Sequence, residues 1–382
     1  MPNKKIIIIG PTYPYRGGNS LFISHIYDLL KEEFDVKIYN YKLLYPSILF
    51  PGTTQIDKSQ SIIKKANSIR IINSVSPFSW IYTAKRLKQE NADLIVFDWW
   101  HPFFSFCHFT ISYLIKKKYN DKILFITENI VSHESHFIDR VLTKIGLKNA
   151  NKFLALSDNV AKNLGDVSEG KKIYKSQLPI YDCYNEIEHR ASEALGKYLG
   201  IMNGNKVLLF FGYVRKYKGL DILLNAMPDL LKFDHSFRLL VVGEFYDDES
   251  TYREIIKKNE LENYVILINK FVPNEEVAPY FSLSDLVILP YRNATQSGIL
   301  NIAYGFLKPV LVTNVGGLAE FVEEGKTGFV IQPNSVKEIV AGVNKFYDMK
   351  SKVNFDQNIK NIVGRNSFKQ LPMLFNQIIN NN

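Results

Sequence analysis

Cysteine is nearly absent: the 382 residues contain only Cys107 and Cys183. Two isolated cysteines make neither a metal-ligand spacing nor a disulfide framework, so a reducing, cytoplasmic setting is expected. Long apolar runs are also missing. Ile6–Ile9 is far too short for a signal peptide, and Pro102–Ile115 is broken by Ser105, His108 and Ser112. A bilayer span needs ~20 apolar residues, so Pro102–Ile115 reads as a core helix. No G-x-G-x-x-G occurs, which weakens a nicotinamide or flavin reading. No His-Glu-x-x-His helix or Cys/His constellation occurs either, so neither a metal site of protein ligands nor a resident cofactor is expected. No basic run is interleaved with aromatics, which argues against nucleic acid.

The composition is that of a globular protein, with 46% hydrophobic and 22% charged residues. The length suits two domains. Lys plus Arg number 47 against 38 Asp plus Glu, a balance of +9. Such a balance suits an anionic partner: nucleic acid, an anionic membrane surface or a phosphorylated small molecule.

Strand-like runs alternate with helical patterns twice. The first half predicts strands at Lys5–Ile9, Val36–Asn40, Leu94–Asp98, Ile123–Thr127, Phe153–Leu156 and near Ile173–Leu178. The second predicts them at Val207–Gly212, Arg238–Val242, Val265–Asn269, Leu286–Pro290, Val310–Thr313 and Phe329–Ile331. Most are continuous apolar runs, as in parallel sheets buried on both faces. The expected organisation is a first α/β domain over residues 1–180, a linker over 181–200, a second α/β domain over 201–360, and a C-terminal helical segment over 361–382 returning to the first domain. Pro372 should kink that last helix or split it.

Ligands of such sheets bind beyond the C-terminal ends of the strands. After the first strand comes Arg16-Gly17-Gly18 at a helix start, where backbone N–H groups can meet a phosphate. After the first strand of the second half, Gly212 is followed by Arg215, Lys216 and Lys218, three cations suited to a diphosphate. Thr295-Gln296-Ser297-Gly298-Ile299 again joins a strand to a helix and offers hydroxyls, an amide and backbone donors. Asp98-Trp99-Trp100-His101 and Glu128-Asn129 with His133-Glu134 end two first-half strands. Flat aromatics beside polar groups suit sugar rings, and core packing explains the Trp pair equally well.

Taken in order, these pieces resemble bacterial retaining glycosyltransferases of family 4, with the GT-B fold. The matching segments include Arg16-Gly17-Gly18, Trp99-Trp100-His101-Pro102, Glu128-Asn129, Arg215 with Tyr217-Lys218-Gly219, Val242-Gly243-Glu244, Thr295-Gln296-Ser297-Gly298 and Val315-Gly316-Gly317 with Glu320. The resemblance implies two Rossmann-like domains with parallel sheets facing a central cleft. It implies that Arg215 and Lys218 hold a donor diphosphate, and that the Gly17–Gly18 loop closes on the same phosphates. It implies that Phe271–Val272 meets the base, and that Gly212, Glu244 and the 295–299 run complete donor binding. His133 would sit near the transferred sugar, and Trp99, Trp100, His101 and Asn129 near the acceptor. Much of the family carries two Glu seven residues apart; counted back from Pro309, those positions here are Ala294 and Ile302. The Thr-Gln-Ser-Gly run marks a subgroup without that pair.

The implied reaction moves a sugar, with retention, from a nucleotide diphosphate sugar to the hydroxyl of a sugar or lipid-linked sugar, in cell-surface polysaccharide or glycoconjugate assembly. An epimerase of the same fold and a catalytically silent nucleotide-sugar binder are the alternatives. The +9 balance and Lys116-Lys117-Lys118, after the aromatic segment Phe103–Tyr113, predict peripheral contact with an anionic membrane.

Overall fold

The computed structural model describes residues 3–50, 52–130, 137–165, 167–186 and 191–381. The chain divides into two compact units. The first comprises residues 1–57, 64–179 and 367–382, and the second residues 58–63 and 180–366.

The first unit is built on β1 (Lys5–Ile9), β2 (Asp35–Leu43), β3 (Ser68–Asn73), β4 (Leu94–Trp99), β5 (Ile123–Thr127), β6 (Lys152–Ala155) and β7 (Lys172–Lys175). Its helices include α1 (Gly18–Leu30), α2 (Pro77–Gln89), α3 (Ser105–Ile115), α4 (Phe137–Leu147) and α5 (Asp158–Leu164). All pairings are parallel, in the order β3-β2-β1-β4-β5-β6-β7. Ile6–Ile9 are fully buried because helices cover both faces, which is why the run is apolar without alternation. The register sets Ile8 beside Ile38 on one side and Val96 on the other. Edge strand β3 departs from the expected pattern. Its sequence mixes Ser, Arg and Asn with Ile, most of it is only half-buried, and sequence reading passes over it.

The second unit repeats the plan with β8 (Lys206–Phe211), β9 (Phe237–Val242), β10 (Val265–Ile268), β11 (Leu286–Leu289), β12 (Val310–Thr313) and β13 (Gly328–Ile331), all parallel, in the order β10-β9-β8-β11-β12-β13. Its helices include α6 (Ala191–Tyr198), α7 (Leu220–Phe233), α8 (Glu249–Lys258), α9 (Asn274–Leu283), α10 (Gly298–Gly305), α11 (Val336–Met349) and α12 (Phe355–Gly364). α7 presents Leu220, Leu223, Leu224, Met227, Leu230 and Leu231 to the core at helical spacing. The stretch 181–200, expected as a linker, falls within this unit, and α6 packs against α9.

Residues 367–382 return to the first unit. Pro372 stands in the first turn of α13 (Leu371–Asn380), where its missing N–H costs nothing, and α12 has already ended at Gly364. Phe368, Leu371, Phe375 and Ile378 are buried with Ile6, Phe22 and Leu154. Each such side chain stabilises by roughly 1.5–3 kcal/mol. Lys152 Nζ also donates to the Ile378 carbonyl at 2.9 Å.

Candidate functional site

In the second unit, five connections leave one edge of the sheet, at the C-terminal ends of β8 to β12. The order reverses between β8 and β11, the point where such sheets hold ligands. Gly212 follows β8 with φ +101, and a side-chain carbon built there would lie 3.3 Å from Lys218 Nζ and 3.1 Å from Ile299 Cδ1. The lysine ammonium therefore folds back over a bare stretch of backbone. Gly219, at φ +69, presses on the Pro290 carbonyl, and its added carbon would stand 2.1 Å from that oxygen. No side chain fits there, so the β8 loop locks against the β11 loop.

A second device holds the same loops. Arg292 forks onto Asp221 at 2.7 and 2.6 Å, and its Nη1 also donates to the Lys216 carbonyl at 2.8 Å. Sequence reading missed this pair, although an Arg three residues after a strand was a usable signal.

The three cations of the loop differ in environment. Lys216 is exposed, Arg215 half-buried and Lys218 buried. The Arg215 guanidinium lies over the Tyr246 ring at 4.8 Å, and Lys218 Nζ is 5.4 Å from the Tyr291 ring centre. Burial, followed by the charge of Arg215, pulls the Lys218 ammonium down to about 7. A cation held so far from water gains most from an arriving anion.

Beyond β11, Thr295 and Ser297 are buried, and Ser297 precedes α10 without capping it through its side chain. The Ser297 hydroxyl lies 3.4 Å from Tyr291 Oη. Gly316 carries φ +53 and lies against the Ala294 carbonyl, while Gly317 N–H donates to the Thr295 carbonyl at 3.0 Å. Glu244 is buried beyond β9, with its carbonyl accepting from Val214 at 2.9 Å. Phe271 and Val272 follow β10 at the same edge, Val272 buried.

The corresponding edge of the first unit is acidic and aromatic. Gly17, at φ +102, precedes α1, whose first turn has no side-chain cap, and the space around Gly18 is open. Asn19 reaches from that turn and donates to Glu128 at 2.9 Å. Asp98, at the end of β4, is fully buried against Glu128, at the end of β5. Burial and the neighbouring carboxylate push Asp98 well above the usual carboxylate range. Glu128 is also raised, by burial, against the opposing pull of its hydrogen bonds to Asn19 and Asp98. His108 stays neutral, held down to about 3 by burial, with Nε2 2.8 Å from Tyr41 Oη.

With this geometry in view, residues 205–349 match the family model described as Glycosyl transferases group 1. The matched stretch runs from β8 to α11 of the second unit. Across the chain, an uncharacterised glycosyltransferase of Methanocaldococcus jannaschii is 24% identical over 347 residues, 87% of this chain and 86% of the relative. The lipopolysaccharide 1,2-N-acetylglucosaminetransferase of Salmonella typhimurium is 23% identical over 295 residues, 69% and 77% of the two chains. Among solved structures, HepE of Anabaena in complex with UDP aligns at TM-score 0.74 with 16% identity, covering 99% of this chain and 100% of that one. The fold is GT-B, with its two parallel-sheet Rossmann-like domains.

Within that frame, Gly212, Arg215, Lys218, Glu244, Phe271, Val272 and Thr295 to Ser297 lie on connections at one edge of the second sheet, with Gly298 and Ile299 opening α10 there. Gly17, Gly18, Trp100, His101 and Asn129 lie at the equivalent edge of the first. Trp99 requires correction as an acceptor contact. Its ring is fully buried in the core, where the absence of a side chain at Gly146 makes room for it. Trp100 is half-buried and donates to Tyr45 Oη at 3.0 Å, and exposed His101 accepts from Phe103 N–H through Nδ1. His133 lies outside the described residues. Among the described residues no group of three His, Cys, Asp or Glu side chains is placed to hold a metal ion.

Proposed function

We propose that the protein transfers a sugar, with retention, from a nucleotide diphosphate sugar to the hydroxyl of a sugar or lipid-linked sugar, in cell-surface polysaccharide or glycoconjugate assembly. The observation that carries this reading is Lys218. A buried lysine folded over Gly212 at the switch point, with Arg215 beside it, is a poor arrangement for an empty protein and a good one for a diphosphate. As the glycosidic bond breaks, charge builds on the leaving diphosphate. Lys218, Arg215 and the backbone donors near Ser297 then stabilise it more than they stabilise the intact donor. The reaction needs no metal on this reading, since cations of the chain fill that role. The solved HepE complexes with UDP and with UDP-glucose support a uridine nucleotide as the first donor to try.

A thermal-shift panel of UDP, GDP and ADP with their glucose conjugates, followed by release of free nucleotide in the presence of chelator, tests the reading. Stabilisation by one nucleotide and chelator-resistant release support it. No stabilisation by any of them, or interconversion of the nucleotide sugar without transfer, removes it.

Peripheral contact with an anionic membrane belongs to the same proposal. α2, α3 and α4 lie side by side. They expose Phe78, Ile81, Tyr82, Phe106, Tyr113, Phe137, Ile138 and Val141, with Lys116–Lys118 at the end of α3. Apolar side chains bordered by lysines suit a bilayer carrying negative headgroups. Among the described residues no helix is long and apolar enough to cross a membrane.

A further inference from the structure

We infer that Arg292 is a positioning residue for transfer: it holds the turn that carries Arg215 and Lys218, and so sets where Lys218 meets the donor diphosphate. The inference rests on the transferase reading for the identity of that ligand, and on the second unit alone for its geometry.

The cations stand on a slight support. Lys216–Lys218 make a single 3-10 turn between β8 and α7. Within it, Lys218 N–H donates to the Arg215 carbonyl at 2.8 Å and Gly219 N–H to the Lys216 carbonyl at 3.2 Å. Bonds of this kind are weak, yet the turn holds a lysine ammonium out of water, which is costly. The rest of the support comes from three consecutive residues after β11. The Pro290 carbonyl abuts Gly219 so closely that no side chain fits. The Tyr291 ring lies beside Lys218 Nζ and stands edge-on to the Tyr217 ring at 6.1 Å. Arg292 takes two carbonyls of the turn, its backbone N–H donating to Tyr217 at 2.6 Å and its Nη1 to Lys216 at 2.8 Å. The same guanidinium forks onto Asp221 in the first turn of α7. Arg292 thus ties the residues before Lys218 to the helix after it.

Neither charge nor global stability is the purpose of such a pair. Arg292 and Asp221 cancel each other, which leaves the site's net charge to Arg215 and Lys218. Their side chains are 27% and 33% exposed, and a partly exposed ion pair adds little to folding. A planar fork fixes direction and distance together. Direction matters here, because misplacing a stabilising group by about 1 Å can cost roughly a hundredfold in rate.

Two measurements on the full chain test this. Amide hydrogen exchange over residues 213–220 should quicken in Arg292→Met, with exchange over β13 unchanged. Nucleotide release from UDP-glucose should slow by up to about a hundredfold in Arg292→Met, with little change in melting temperature. Arg292→Lys keeps the charge without the fork and should recover only part of the rate. Asp221→Asn leaves an extra positive charge beside the site, yet it should slow release too; a role through charge would tighten UDP binding instead. In a Lys218→Ala background, Arg292→Met should cost little more, since it acts through Lys218. A merely structural role would give a penalty that multiplies in full with that of Lys218→Ala. If Arg292→Met does not fold, Arg292→Lys carries the same comparison. Unchanged exchange over 213–220, near-normal release in both Arg292 variants, faster release in Asp221→Asn, or a full multiplicative penalty each overturns the inference. A wild type that releases nothing from UDP-, GDP- or ADP-glucose, while exchange still quickens in Arg292→Met, removes the transferase reading and leaves the clamp on the turn standing.

Discussion

The two units share one architecture and place opposite chemistry at the same edge. In the second, burial drives a cation toward neutrality, pulling Lys218 down to about 7. In the first, burial drives carboxyls toward neutrality, raising Asp98 and Glu128. Either charge type is costly to desolvate, and each becomes favourable again when a suitable ligand arrives. A buried cation awaits an anion. A buried carboxyl pair repels one. The edge is a property of the fold, while the sign of the buried charge is a property of the sequence.

The comparison breaks most readily at the cationic edge. Replacing Lys218 or Arg215 with Ala should slow nucleotide release in transfer by roughly 10²–10³, the usual cost of removing one preorganised stabiliser of a developing anion. The loss should fall on kcat as well as on donor affinity, since the charge grows during bond cleavage. The double variant should lose less than the product of the singles, because both act on one group. Exposed Lys216 is the control, and its Ala variant should stay near wild type. Steady-state kinetics would settle the register of the loop: crippled Lys216→Ala beside active Lys218→Ala reverses it.

The next effect is mechanical. In Gly219→Ala the new carbon would stand 2.1 Å from the Pro290 carbonyl at a φ of +69. That contact and the left-handed backbone should together cost about 2 kcal/mol or more of stability, read by chemical unfolding. UDP affinity should fall as well, because Lys218 precedes the displaced residue. Gly18→Ala at the other edge meets open space and should leave stability within about 0.5 kcal/mol.

A smaller effect is electrostatic. Free Lys218 titrates at about 7, and a bound diphosphate raises that value. Binding then takes up a proton at pH above 7. Affinity should be level below pH 7 and should fall as pH rises, by at most about tenfold per unit. Calorimetry of UDP binding in two buffers of different ionisation enthalpy would read the proton uptake. In Lys218→Met the uptake should vanish, whereas uptake that persists there moves the titrating group elsewhere.

Much of this was legible in the sequence where burial is complete. Runs such as Lys5–Ile9 and Val310–Thr313 have one physical reading, a strand covered on both faces, and they form those strands. β3 was not legible, because an edge strand with one half-open face mixes Ser, Arg and Asn into its pattern. At the site, residue identity marked the cations but not their depth. The resemblance singled out Arg215 and Lys218 from Lys216, and the packing of Arg215 on Tyr246 and of Lys218 over Gly212 and beside Tyr291 adds how deep each lies. Trp99 and Trp100 likewise read as one pair, yet the pleat turns one into the core and leaves the other half-buried. Asp98 and Glu128 are thirty residues apart in sequence. Their meeting follows from the parallel pairing of β4 with β5, which aligns the two strand ends, and composition does not report it.

The surfaces of the two units differ as well, and here the expected effects are smallest. In the second unit the exposed large apolar side chains are scattered, as with Tyr198, Met202 and Phe233. In the first they collect on α2, α3 and α4, beside exposed Lys85, Lys88, Lys116, Lys117, Lys118 and Lys144. Lys116 also lies over the Tyr113 ring at 4.2 Å, tying a cation to the aromatic stripe. A face of this kind binds by shallow insertion of the rings and by attraction of the lysines to anionic headgroups. Vesicles of phosphatidylglycerol and phosphatidylcholine should therefore carry the protein in flotation at low salt, and vesicles of phosphatidylcholine alone should not. Each lysine near the surface contributes roughly 1 kcal/mol, so Lys117→Gln should weaken binding about fivefold. Phe106→Ser should weaken it comparably without unfolding the domain, since Phe106 is already exposed while its helix is anchored by buried Ile111 and Ile115. Raising the salt should release the wild type. Phe233→Ser, on the second unit, should change nothing. Flotation that ignores vesicle charge, or that weakens as much in Phe233→Ser as in Phe106→Ser, would mean that the clustered apolar face of the first unit is not what meets the membrane.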